Sequence, residues 1–361
     1  TTTVPTLVGF TVDRPSWDTP ADALVFEEGA TLDIEATPWL GADVDGDGDE
    51  DLIGLDTDHR VVIWTSSEGE LQPSKAFTAP LAEALDADQA WVRQLDVANL
   101  SGTGRADILL TVNTMRDAIY EQEVVRLGPD GSVWTVAAGA HVAFNAVADL
   151  DGDGLSELLL YTADGCWIEF STGPTAELPA DMAWAWAPHA VTLDADGEGD
   201  LDILIMNDGG YGIYQGWILH GEGTGFSHTT VLESIYGQDL ATDGDAFQPA
   251  TEAVLTTWGQ NLRLVDGAFT ELGLGDIQPL LGGELDGFIG ADLLAWNEGA
   301  VGLVSTEDDL AEVPVFGLTE QTWSGILLDL DGDGLDDLVD PRWTEDGGKT
   351  LTAFANVTRQ P

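Results

Sequence analysis

An all-β fold, a seven-bladed propeller of four-stranded antiparallel blades, is predicted for this 361-residue chain from three observations. An acidic loop punctuated by glycine recurs at nearly even intervals. Each copy is flanked by short small-residue or apolar runs of strand length. Between copies, further β-rich runs are separated by glycine turns, and helical periodicity is absent.

The loop is clearest at residues 43–51, Asp-Val-Asp-Gly-Asp-Gly-Asp-Glu-Asp. Asp43, Asp45, Asp47 and Asp51 put four carboxylates into nine residues, while Gly46 and Gly48 let the backbone curl through positive φ. Unit charges about 5 Å apart at an effective dielectric of about 20 repel by roughly 3 kcal/mol per pair, so the four converge only around a cation. Oxygen ligands in this number, without His or Cys, point to Ca²⁺ over Zn²⁺ or Mg²⁺. Spacing excludes an EF-hand: the twelfth position is Gly54 instead of Glu, and Leu52-Ile53-Gly54-Leu55 reads as a strand.

Aligned on the first loop position, the copies begin at Asp43, Asn99, Asp149, Asp194, Ala241, Glu284 and Asp329, separated by 56, 50, 45, 47, 43 and 45 residues. Apolar runs follow each, among them Ile108-Leu109-Leu110, Leu158-Leu159-Leu160, Ile203-Leu204-Ile205 and Leu338-Val339. Leu40-Gly41-Ala42, Ala146-Val147-Ala148 and Ile326-Leu327-Leu328 precede them, so each loop is the turn of a hairpin. Two more strands per unit are read at 61–65 with 75–78, 123–127 with 132–136, and 216–220 with 226–232. Four strands in such a period make a propeller blade, and seven blades close a ring as one domain over 1–361. The blades fall at about 36–80, 90–138, 141–180, 186–232, 234–272, 275–317 and 322–358. The last is one strand short, and the run at 5–12 is assigned to complete it.

The 66 acidic and 11 basic residues give a formal charge of −55, which excludes nucleic acid and anionic membrane surfaces as partners without bridging metal. Cys166 is the only cysteine, so neither an intramolecular disulfide nor a CxxC site exists. No apolar run is long enough to insert into a membrane. Thr1-Thr2-Thr3 does not open a signal peptide, and the chain reads as a processed or excised segment: a monomer, or a domain of a larger surface protein. Millimolar calcium fills weak loops outside cells, which places the protein in an extracellular, secreted or cell-surface setting.

The repeated loop resembles the FG-GAP or VCBS repeats of integrin-α-like propellers, whose loops read Asp-x-Asp-Gly-Asp-Gly-x-x-Asp-Leu. The resemblance covers essentially the whole chain. It implies that Ca²⁺ takes side chains from positions 1, 3, 5 and 9 and a carbonyl from position 7. Four copies are complete on that pattern, implying about four ions: Asp43, Asp45, Asp47, Asp51 with the carbonyl of Asp49; Asp149, Asp151, Asp153, Glu157 with Leu155; Asp194, Asp196, Glu198, Asp202 with Asp200; and Asp329, Asp331, Asp333, Asp337 with Leu335. Three depart from it. Loop 99–107 retains one charge, with Arg105 beside it, and is expected to hold without metal; loops 241–249 and 284–292 lose ligands to Ala241, Pro249 and Phe288.

Aromatic residues precede the loops at Trp39, Trp91, Phe144, Trp186, Tyr236 and Trp323. Trp39, Trp91 and Trp323 are the candidate ligand contacts, on the face opposite the calcium loops. Packing between blades competes with that role, because offsets of mixed parity cannot all point one way along a strand. Trp64, Trp167 and Trp217 fall in later strands and are assigned to the core. No catalytic residue is assigned: the five histidines, His141 and His189 among them, read as structural, and no nucleophile elbow or phosphate loop stands out. The favoured reading is a non-catalytic, calcium-stabilised binding or adhesion module for a protein or neutral glycan. A lectin is the alternative. A polysaccharide lyase fits least, since such lyases need cationic groups and a proton-transferring Tyr or His.

Overall fold

In the computed structural model four of the five sheets are laid down by consecutive stretches of chain, with strands pairing antiparallel to their sequence neighbours. It describes residues 23–34, 36–67, 69–72, 75–100, 102, 106–128, 131–139, 141–150, 155–162, 165–169, 176–177, 189–193, 202–208, 213–222, 225–242, 253–257, 260–265, 268–272, 278–283, 285, 292–296, 300–305, 310–318, 325–343 and 349–358.

After β1 (Leu24–Ile34), a four-stranded sheet runs β2 (Ala36–Ala42), β3 (Asp51–Asp56), β4 (Val61–Trp64), β5 (Lys75–Ala76). A single helical turn, α1 (Leu81–Ala84), leads to a second sheet of β6 (Gln89–Ala98), β7 (Asp107–Arg116), β8 (Ile119–Leu127) and β9 (Val133–Gly139). A third holds β10 (Val142–Ala148), β11 (Glu157–Thr162), β12 (Gly165–Glu169) and β13 (Ala176–Glu177).

A seven-stranded sheet follows: β14 (His189–Leu193), β15 (Asp202–Asp208), β16 (Ile213–Glu222), β17 (Gly225–Thr242), β18 (Ala253–Thr257), β19 (Gln260–Val265) and β20 (Ala268–Leu272). The long β17 serves both halves: Tyr236 still pairs with Ile213 of β16, and the next residue, Gly237, pairs with Thr257 of β18. The remaining strands are β21 (Gln278–Gly283), β22 (Asp292–Trp296), β23 (Ala300–Ser305), β24 (Leu310–Phe316), β25 (Ile326–Leu328), β26 (Asp337–Trp343) and β27 (Lys349–Asn356). With β1 they form an eight-stranded sheet in the order β21-β22-β23-β24-β1-β27-β26-β25.

The run at 5–12, assigned from sequence to the last unit, lies outside the described residues. The strand beside β27 is β1, antiparallel from Phe26 opposite Asn356 to Ile34 opposite Lys349. Its first two residues also pair in parallel with β24, Leu24 opposite Val315 and Val25 opposite Phe316.

The apolar runs after the loops are continuous because their strands are covered on both faces. Ile108, Leu110 and Val112 of β7 pack with Ile53, Leu55 and Val61 of the first sheet, whereas Leu109 joins Phe144, Leu158 and Leu160 of the third. Leu52 and Trp64 turn instead to Leu328, Leu330, Val339 and Leu351, tying the first sheet to the last strands of the chain. Each such side chain contributes about 1.5–3 kcal/mol on burial. Small residues are needed where the first strands of neighbouring sheets approach: a Cβ on Gly41 would fall 2.6 Å from the Leu328 Cβ.

Candidate metal centre

Loop 43–51 joins β2 to β3, and its glycines do what the sequence asks, Gly46 at φ 85° and Gly48 at φ 101°. The curl turns backbone N–H groups inward. Gly46 and Gly48 donate to the two oxygens of Asp43 at 2.6 and 3.1 Å, and Asp49 donates to Asp47 Oδ1 at 3.1 Å. Asp43, Asp45 and Asp51 each bring a carboxylate oxygen within 4.8 Å of the others; Asp47 lies beside Asp45, outside this trio.

Loop 329–337 repeats the arrangement. Asp333 and Gly334 donate to the Asp329 oxygens at 3.1 and 2.9 Å, Leu335 donates to Asp333 at 2.9 Å, and Gly332 and Gly334 have positive φ. Its converging trio is Asp329, Asp331 and Asp333, with Asp337 outside it. Both sets offer only carboxylate oxygens, the donors of a hard divalent cation. Gathering them without a counter-charge is costly. Burial pushes Asp51 up to about 7 and Asp329 up to about 6, and like charges from the same loop add to each shift. Asp337 rises to about 8, again chiefly by burial.

The ninth loop position has a second role that the sequence reading missed. Its carboxylate accepts the N–H of the second position in five loops: Val44 to Asp51 at 3.2 Å, Leu100 to Asp107 at 3.1 Å, Leu150 to Glu157 at 2.7 Å, Leu285 to Asp292 at 2.9 Å and Leu330 to Asp337 at 3.2 Å. All five acids are buried, as is Asp202. Two of these loops, 99–107 and 284–292, lack the full ligand set, so the clamp does not depend on one. The apolar residue at the second position, Val44, Leu100, Leu150, Leu285 or Leu330, is the signal that marks it.

The third strand of a unit reaches the same acid. Ser66 N–H donates to Asp51 at 2.9 Å and Asn356 N–H to Asp337 at 2.6 Å. In the second sheet Arg126 of β8 grips both oxygens of Asp107 at 3.0 and 3.1 Å while stacking on Trp134. Arg105, the cation named from sequence, lies outside the described residues. Asn99 keeps the backbone bond without the charge, accepting from Gly102 at 3.1 Å.

Neighbouring loops are stitched together. Glu50 and Asp329 exchange two hydrogen bonds, and Ser66 Oγ donates to the Leu330 carbonyl at 2.5 Å. Of the third predicted site, Asp149, Leu155 and Glu157 are described and Asp151 and Asp153 are not; of the fourth, Asp202 is described, 3.6 Å from His220, and Asp194, Asp196, Glu198 and Asp200 are not.

Among the aromatic candidates Trp323 lies outside the described residues, as does the side chain of Trp39. Trp91 meets Tyr120 edge-on, ring centroids 5.8 Å apart. Phe144 is fully buried. The parity argument from sequence assumed unbroken alternation. The first strands carry a register shift instead, between Pro38 and Leu40, Val92 and Gln94, Phe144 and Ala146, and Pro279 and Leu281, which resets which way later residues point. Trp64 and Trp217 are buried, as expected of core residues.

Residues 43–110 match the FG-GAP-like repeat, well under half of the chain. No curated protein matches it. Among solved structures, BBS1N in complex with ARL6DN, soaked with lead, is 10% identical, with 93% of this chain and 99% of that one covered and a TM-score of 0.53. The fold is all-β and propeller-like. The WD40 domain of SCAP from fission yeast is 9% identical over 93% of this propeller and 88% of that chain, with a TM-score of 0.45. An Agrocybe aegerita lectin that recognises non-reducing terminal N-acetylglucosamine is 16% identical over 90% and 80%, with a TM-score of 0.38. At such identities the likeness to BBS1N speaks for the propeller fold alone. Among the described residues no helix is long and apolar enough to cross a membrane.

Proposed function

We propose that this propeller is a calcium-stabilised, non-catalytic binding module of the integrin-α-like type, working outside the cell on a protein or neutral glycan ligand. The observation that carries the reading is the pair of carboxylate trios, Asp43, Asp45, Asp51 and Asp329, Asp331, Asp333, on loops joined by the Glu50–Asp329 bonds. Clustered, mutually repelling acids, with Asp51 and Asp329 buried, are a stability liability at a junction between sheets unless a cation joins them, and calcium then becomes part of the scaffold. The complete ligand sets at 149–157 and 194–202 bring the proposed number of ions to about four.

Seven blades in a closed ring fit the strand pairing. The seven- and eight-stranded sheets each divide into two four-stranded units, the latter completed by β1. First strands also lie against one another, β25 on β2, β2 on β6, β6 on β10, β10 on β14, β17 on β21 and β21 on β25. An extracellular setting suits loops that need millimolar calcium.

Calorimetric calcium titration, followed by a glycan array probed in calcium and in chelator, tests the proposal. Binding of several ions with a raised melting temperature is expected; a protein that neither binds calcium nor melts differently in chelator refutes it. Calcium-dependent capture of one defined sugar makes the glycan the ligand, and a blank array directs the search to proteins.

A further inference from the structure

We infer that the face of the second sheet turned toward the third holds, at the end away from its acidic loop, a binding site for a neutral saccharide. The inference deepens the binding-module reading and rests on it. Residues paired across antiparallel strands share a face, and two ladders fix this one: Trp91 stands opposite Asn113, Asn113 opposite Gln122, and Met115 opposite Tyr120. Thr111, two residues before Asn113, belongs to the same face. So do Leu109 and Val124, which pack with Phe144, Leu158 and Leu160 of the third sheet. Val142 N–H, at the start of β10, donates to Gln122 Oε1 at 3.3 Å and brings the two sheets together beside the site.

Exposure along this face rises away from the core. Thr111 is buried, Trp91, Asn113, Met115 and Gln122 are half-buried, and Tyr120 is 63% exposed. Trp91 and Tyr120 meet edge-on with ring centroids 5.8 Å apart, so two aromatic bodies stand at the open end. At the closed end the Thr111 hydroxyl is buried without a hydrogen-bond partner. Folded proteins leave few such groups unpaired, and this one lies on the face that opens toward solvent, so its partner comes from outside the chain. Gln122 Nε2 donates to Asn113 Oδ1 at 2.9 Å, which leaves the Asn113 amide hydrogens to donate elsewhere.

These groups select the ligand by chemistry. Aromatic rings beside neutral amides and a hydroxyl match a sugar, which presents an apolar ring face and hydroxyls that both donate and accept. None of the six residues is charged, in a chain that carries −55. The ion pairs of these strands form on the opposite face, where Arg116 donates to Glu121 at 3.2 Å and Glu123 at 2.6 Å, on the side of Val112 and the first sheet. Arg126 and Asp107 share the saccharide face but sit at its loop end, paired with each other. Asp96 lies there too, opposite Leu109, and accepts the neighbouring Val97 N–H at 2.8 Å. A ligand bearing a carboxylate or an amine finds no counter-charge among the six.

The test is an array of neutral mono- and disaccharides, with uronic acids and hexosamines as charged members, probed with the calcium-loaded full chain and followed by calorimetric titration of the sugar that binds. Tyr120→Ala and Thr111→Val are run beside it. A neutral saccharide is expected to bind, about tenfold more weakly to Tyr120→Ala and about threefold more weakly to Thr111→Val. Thr111→Val keeps the side-chain shape and removes an unpaired hydroxyl, so its melting temperature should not fall, and weaker binding by it reports the site instead of the fold. Unchanged affinity in either variant overturns the inference, as does an array that binds charged sugars alone. Should Tyr120→Ala melt lower, hydrogen exchange of the native chain decides: protection by the bound sugar is expected at residues 89–91, 111–115 and 120–122, and protection elsewhere overturns the site. An empty array from a protein whose melt still responds to calcium removes this inference and leaves the scaffold reading intact.

Discussion

Glu50 and Asp329 hold each other twice: Glu50 N–H donates to the Asp329 carbonyl at 2.8 Å, and Asp329 N–H donates to the Glu50 carboxylate at 3.0 Å. Ser156 and Asn99 repeat the exchange at another junction, with both bonds at 3.0 Å. The eighth position of one loop thus latches onto the first position of its neighbour. Glu50→Ala strands the Asp329 N–H and should cost about 1–3 kcal/mol in urea unfolding. Glu50→Gln keeps an acceptor and should cost much less; equal losses would show that charge matters and the latch does not.

Arg126 and Asp107 form a charge pair in which Asp107 is fully buried. Removing the cation leaves a buried carboxylate uncompensated, so Arg126→Met should destabilise by about 3–5 kcal/mol. Adding Asp107→Asn should restore most of that loss. A double variant no more stable than the single would place the contribution of Arg126 in its stacking on Trp134.

Chelation should lower the melting temperature by about 5 °C or more, since each kcal/mol lost is worth roughly 1–2 °C in a chain of this size and several sites lose their ion. Asp45 is exposed and belongs to the first trio. Asp45→Asn should therefore reduce calcium affinity at one site, seen in calorimetry, and leave the chelated melt unchanged or slightly raised, since it removes one of the repelling charges. Loss of stability in chelator from this substitution would mean that Asp45 supports the fold directly.

The pH dependence of the chelated protein has a fixed sign. Asp51, Asp329 and Asp337 sit at about 7, 6 and 8 in the folded protein, against about 4 when unfolded. The folded state thus binds these protons more tightly. Their contribution is fully present below about pH 4 and is lost as pH rises through 6 to 8. Melting temperature in chelator should fall across that window, and calcium should flatten the profile. A chelated melt that rises from pH 5 to 8 would contradict the assignment.

The metal loops and the runs that follow them were legible because both consist of one residue type repeated at fixed spacing. Leu52-Ile53 and Ile108-Leu109-Leu110 read as strands, and they are; the structure adds that both faces are covered. β1 was not legible. Its Leu24-Val25-Phe26 start is followed by Glu27-Glu28-Gly29, and its pairing is fixed by β27, more than three hundred residues away. Arg126 escaped for the same reason: it reaches Asp107 across a strand pair. For Trp91, the one-residue register shift between Val92 and Gln94 left no mark in the sequence pattern.

In β17 the chain passes from one four-stranded unit to the next without leaving the hydrogen-bonded ladder, Tyr236 ending one set of pairs and Gly237 beginning the other. A hinge needs residues free to change φ and ψ, and at this crossing only Gln238, between Gly237 and Asp239, falls out of register. The two units therefore move as one stiff element, and a force applied to either is carried through a continuous strand to the other. Compliance, where a bound partner asks for it, must come from junctions that are only latched, such as the one between Glu50 and Asp329.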